Sequence, residues 1–154
     1  MTKFDVRALL LIAAAAAGCG GSATSPSSAA TATATATNEV LTGTVGPPVD
    51  GVLQSAFNTF VVNASGGTIT VTLTSAVESL PGGTLLTNVA MGLGIGTVAN
   101  GACTLASGAF TTAQAGASPQ LSGNTVSAGT YCVQLSDVTS QLGPVSYAID
   151  IAHY

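Results

Sequence analysis

From Val40 onward, apolar and polar positions alternate with the period of two that places successive side chains on opposite faces of an extended chain. Thr68 to Ser75 is the clearest case: Ile69, Val71 and Leu73 point one way and four hydroxyl-bearing residues the other. The alternation predicts a strand with one buried face there. It recurs at Val89, Met91, Leu93 and Ile95, at Tyr131, Val133 and Leu135, and at Val145, Tyr147, Ile149 and Ile151. Shorter strands are predicted at Val40 to Val45, Ala56 to Val62 and Gln120 to Thr125. Turn signals separate them: Gly46-Pro47-Pro48, Ser65-Gly66-Gly67, Pro81-Gly82-Gly83, Ser107-Gly108, Ala128-Gly129 and Gly143-Pro144. Ala99 to Ser118 reads as a long irregular stretch. No helical period survives, and seven or eight short strands, each greasy on one face, predict an all-β, antiparallel β-sandwich of jelly-roll or immunoglobulin-like kind. A closed barrel is the alternative architecture.

The pattern changes upstream. Residues 1 to 18 carry a short basic start and then an unbroken apolar run, Ala8 to Ala17, about half the ~20 residues that a membrane-spanning helix needs. This is the form of a cleavable export signal. The run closes on Ala16-Ala17-Gly18-Cys19, which resembles the lipobox of bacterial lipoproteins. The resemblance implies cleavage before Cys19 and acyl chains, palmitate among them, on that residue; more than one chain suffices for stable anchoring. Cleavage after a small-x-small triplet such as Ala15 to Ala17, leaving a free thiol, is the competing reading. In lipoprotein sorting, the lack of an acid after Cys19 points to the outer membrane. From 19 to 39, between Cys19 and Asn38-Glu39, the chain is glycine, serine, alanine and threonine with one proline, Pro26, a Thr-Ala repeat from Thr31 to Thr37 and no large apolar side chain to bury before Val40. It reads as a flexible tether with a coil span of roughly 25 Å and a stretched limit near ~60 Å. The folded domain is then 40–154.

Charge narrows the range of partners. The only cations, Lys3 and Arg7, lie in the export segment, and the acids beyond Cys19 are Glu39, Asp50, Glu78, Asp137 and Asp150. Nucleic-acid affinity comes largely from Lys and Arg displacing counterions, so nucleic acid is excluded as a partner. A polybasic patch for anionic lipid and arginine clamps for phosphate are absent for the same reason. Membrane attachment through Cys19 and a protein or neutral glycan partner stay open.

Cysteine number favours the lipid reading. Of three cysteines in an exported chain, Cys19 is accounted for by acylation, which leaves Cys103 and Cys132 as one disulfide pair. Cys103 is expected in a loop and Cys132 on the outward face of a late strand.

Candidate chemistry is sparse. Gly94-Ile95-Gly96-Thr97-Val98-Ala99 matches a dinucleotide-binding pattern formally, but no helix opens after it; glycines admitting a close neighbour explain it better, and no cofactor is expected. His153, the only histidine, sits where termini fray and is a poor catalytic base; with the cysteines committed, it cannot assemble a zinc site. Glu78, Asp137, Asp50 and Asp150 could supply a glycosidase pair but form no motif. Asp137 and Asp50 stand beside turns, where aspartate bonds local backbone, and Asp150 alternates with Ile149 and Ile151, so it should face solvent. Tyr131 and Tyr147 fall at inward positions and read as core, while Tyr154 has no assignable role. No catalytic residue, metal ligand or cofactor-binding residue is therefore expected.

Phe60-Val61-Val62, Gly67 to Leu73, Leu121-Ser122-Gly123, Ser127 to Val133 and Pro144-Val145-Ser146-Tyr147 followed by Ile149 and Ile151 together resemble the bacterial pre-peptidase C-terminal domain. That resemblance, over about Val52 to His153, implies a jelly-roll-like sandwich without catalysis of its own, of a kind usually appended to exported enzymes. Some relatives bind calcium or matrix polymers. This chain has Pro81-Gly82-Gly83-Thr84-Leu85 where relatives often carry acids, so the resemblance does not extend to a calcium site. The function expected is a non-catalytic, lipid-anchored envelope or surface protein presenting a binding or structural sandwich. A small carbohydrate-binding or calcium-dependent adhesion module and an unrecognised hydrolase are the alternatives.

Overall fold

A computed structural model describes residues 35–63 and 67–154, without the side chains of Asn124 and Thr125. The export segment, Cys19, most of the tether and part of the Ser65-Gly66-Gly67 turn lie outside the described residues. The described chain has nine strands and no helix: β1 (Thr37–Val45), β2 (Ser55–Val62), β3 (Gly67–Ser79), β4 (Leu85–Thr87), β5 (Met91–Ala99), β6 (Ala102–Ala113), β7 (Leu121–Val126), β8 (Gly129–Asp137) and β9 (Val145–His153). All pairings are antiparallel. One sheet runs β1-β9-β3-β4, with β7 also on β3; the other runs β2-β8-β5-β6. The sandwich is the predicted one; two separate sheets replace the barrel alternative.

Ile69, Val71 and Leu73 from β3, Val145, Tyr147, Ile149 and Ile151 from β9, and Met91, Leu93, Val133 and Leu135 from β5 and β8 make the shared core. Each comes from alternate positions, so one buried face per sheet follows directly from the pattern. Fully burying a side chain of this size stabilises by about 1.5–3 kcal/mol. The core residues thus supply the main force for closing the two sheets.

Three expectations require correction. Strand β1 opens at Thr37, inside the stretch read as tether, because Thr37 to Val40 pair with His153 to Asp150 of β9. The chain from Ala99 to Ser118 is not irregular: β6 occupies most of it, and Cys103 lies in that strand, not in a loop. The strand count rises from seven or eight to nine through β4 and β6. The signal for β6 was Asn100-Gly101, whose φ values of 52° and 76° give the two-residue hairpin between Ala99 and Ala102.

Candidate functional site

A register shift in β3 decides where its acid goes. Pairing with β9 slips between Leu73 and Ser75, so the buried positions change from odd (Ile69, Val71, Leu73) to even (Ala76, Glu78). Glu78 is thereby turned inward, 5% exposed. Its Oε1 accepts the backbone hydrogens of Leu142 at 2.6 Å and Gly143 at 3.0 Å. Asp137, at the end of β8 and 2% exposed, holds the same β8–β9 loop from the other side. Its Oδ1 accepts from Thr139 N at 2.9 Å and its Oδ2 from Gln141 N at 3.0 Å. The local backbone bonding expected of Asp137 is what occurs. Charged acceptors on backbone donors are the stronger class of hydrogen bond, so both carboxylates act as brackets for one loop.

The remaining acids lie elsewhere. Asp50 sits at φ 52° in the tight turn that Val49 and Val52 close by mutual hydrogen bonds. Asp150 is exposed on the outer face of β9, as expected. A hollow of about 340 Å³ beside it is lined by Asn38, Glu39, Val40, Thr70 and Thr72 as well. Glu39 is already engaged: its Oε1 is 2.9 Å from His153 Nε2. His153 corrects the sequence reading outright. It does not fray; it is 1% exposed at the end of β9, with its ring centroid 5.6 Å from that of Phe60. Strand pairing of β9 with β1 on one side and β3 on the other carries order to this point. Among the described residues no three of His, Cys, Asp and Glu gather as a metal-binding group.

Cys103 and Cys132 are bonded, with Cα atoms 5.8 Å apart. Cys132 pairs with Gly96 and Cys103 with Val98, so the bridge runs diagonally across β5 on the outward face of its sheet. Cys132 is outward as expected, yet fully buried, because the first half of β6 folds over it. Gly96 makes that fold possible: a Cβ there would stand 1.9 Å from Thr104 O. The close-neighbour reading of Gly94-x-Gly96 is therefore the correct one. Farther along, pairing slips between Gly94 and Gly96, and residues 106–109 bow out. Between that bow and β7 lies an apolar cleft of about 310 Å³ whose walls include Ile69, Ile95, Leu121, Val126 and Tyr131. Tyr131 is half-buried and donates its hydroxyl to Ser127 O at 2.9 Å, so the cleft offers no free titratable group from it.

The two outer faces differ. That of the first sheet carries Thr42, Thr44, Thr70, Thr72 and Thr74 around Asp150. That of the second carries two exposed aromatic rings, Phe57 and Phe110, which sequence reasoning did not single out. One signal existed: Phe57 and Phe60 are an odd number of residues apart in one strand and cannot both face inward. No family model and no curated protein sequence matches this chain.

Proposed function

We propose that this chain is an exported envelope protein, held by lipid at Cys19, whose β-sandwich serves binding or structure and not catalysis. The observation that carries the reading is the use of the buried acids: Glu78 and Asp137 are committed to backbone donors of one loop. A hydrolase built on paired carboxylates needs them free to face a substrate. The residues behind the resemblance to the pre-peptidase C-terminal domain support it too. Val71, Leu73, Val133, Tyr147 and Ile149 from those motifs all sit at buried positions, so they describe a sandwich core and not an active site. The outer membrane is the destination this reading assigns, with the chain between Cys19 and the start of β1 at Thr37 as the tether.

The test is metabolic labelling with a palmitate analogue, read with fractionation of the envelope. The full chain should carry label and sediment with membranes, and Cys19→Ser should lose both. Equal labelling of the variant, or a full chain found wholly in the soluble fraction, would overturn the anchor.

A further inference from the structure

The outer face of the second sheet carries the exposed rings of Phe57 and Phe110, together with the exposed aliphatic side chains of Val61 and Val98. Phe57 of β2 pairs with Gln134 of β8, Gln134 with Gly94 of β5, and Gly94 with Phe110 of β6, so these four residues form one row on one face. The next row is Ser55, Ser136, Gly92 and Thr112. Gly92 and Gly94 raise nothing above the sheet, and the Phe110 ring lies on them: Cβ atoms built there would meet its Cζ at 2.7 Å and its Cδ2 at 3.2 Å. Yet Phe110 is 48% exposed, so the side of the ring away from the glycines is open to water. Phe57, 39% exposed, stands on the far side of Gln134. The two strands that carry Phe57 and the glycine bed are two spacings apart, about 10 Å.

Charge is missing from this face. Glu78 and Asp137 are buried, Asp150 is on the other sheet, Glu39 is bonded to His153, and Asp50 is in the β1–β2 turn. No Lys or Arg occurs beyond Arg7. Two aromatic rings, with an amide and hydroxyls between and beside them, match a ligand that has apolar C–H faces, a hydroxyl periphery and no charge. We infer that this face binds an uncharged polysaccharide strand, with Phe110 and Phe57 each stacking under a sugar ring and Gln134 and Ser136 bonding hydroxyls between them. The inference rests on the anchored binding-domain reading and supplies its ligand class.

The chemistry disfavours an anionic occupant. An anionic polymer or anionic lipid surface would find no Lys or Arg on this face or elsewhere on the described chain to pair with.

The experiment is a retention assay with the full chain purified in mild detergent, using insoluble cellulose, insoluble chitin and a soluble neutral β-glucan as separate probes. Phe57→Ala, Phe110→Ala and the double variant are compared with Thr72→Ala on the opposite sheet, each checked by thermal melt and by sedimentation. The expected result is retention by at least one probe, weakened about tenfold by either phenylalanine substitution and unchanged by Thr72→Ala. Phe57→Ala keeps the test interpretable if loss of Phe110 disturbs β6. Retention by none of the three probes, retention equal in the double variant, or a dimer that dissociates in the double variant would overturn the inference. Palmitate labelling of the same preparations separates the two readings, since labelled protein that retains no glycan leaves the anchor intact.

Discussion

The hydroxyl of Tyr147 donates a 2.7 Å hydrogen bond to Asn58 Oδ1, crossing from β9 in one sheet to β2 in the other. Both side chains come from the faces that enclose the core, so a polar link is set within an otherwise apolar contact between sheets. Asn58 in turn donates from Nδ2 to Thr42 O of β1, at 3.4 Å. The pair thus fixes the relative setting of three strands.

Tyr147→Phe should lower stability by about 1 kcal/mol, the ordinary net worth of one such bond, measured by denaturant unfolding. It should also change the response to alkali. Burial raises the Tyr147 phenol above its ordinary 10.0. The unfolded chain therefore loses this proton at a lower pH than the folded one. The stabilising contribution is complete below pH 10 and is lost as pH climbs toward and through the folded value. Tyr147→Phe should flatten that alkaline decline; an identical decline in the variant would place its cause elsewhere.

Glu78→Ala leaves the buried Gly143 amide and the part-buried Leu142 amide without their acceptor. A loss of about 2–4 kcal/mol is expected, against less than about 0.5 kcal/mol for Asp150→Ala on the solvated face. Equal effects of the two substitutions would mean that Glu78 holds nothing.

Gly96→Ala tests the fold of β6 across β5. Its Cβ would collide with the Thr104 backbone, which cannot swing aside as a side chain can. A cost of about 2–4 kcal/mol is expected, together with slower closure of the Cys103–Cys132 bond on oxidative refolding. Gly46→Ala, with nothing within 4 Å of the added carbon, should leave the melt unchanged.

Reduction of the Cys103–Cys132 bridge releases a loop with a sequence separation of 29. Loop-closure entropy assigns it about 3–4 kcal/mol. Unreduced folded protein should weigh two hydrogens less than the reduced form, and neither cysteine should alkylate without reductant. Two alkylatable thiols at these positions would contradict the bridge.

Alternation made most of the fold legible, because the inward positions Ile69, Val71 and Leu73 of β3 and Val145, Tyr147, Ile149 and Ile151 of β9 are apolar or aromatic in unbroken series. It failed where the period itself is interrupted. The shift at Thr74 reverses the sense of β3, so Glu78 could not be placed inside by counting from Leu73. The slip between Gly94 and Gly96 splits β6 into two paired halves with small, weakly patterned residues between them, which erased its signal; Asn100-Gly101 was the surviving cue. His153 was misjudged for a different reason. Nearness to a terminus says little when a strand has neighbours on both edges, as β9 has. The aromatic face left little trace in the sequence because Phe57 and Phe110 are single outward rings on separate strands, with no motif or titratable group beside them.

Glu78 and Asp137 act as brackets and not reagents, and amide hydrogen exchange reads that directly. Thr139, Gln141, Leu142 and Gly143 lie in a connection with exposed positions beside them, where free amides would exchange quickly. Bonded to Asp137 and Glu78, they should exchange as slowly as amides in β8 and β9. Exchange at the rate of an unstructured chain would show both carboxylates unengaged and would return them to the pool of groups available for chemistry.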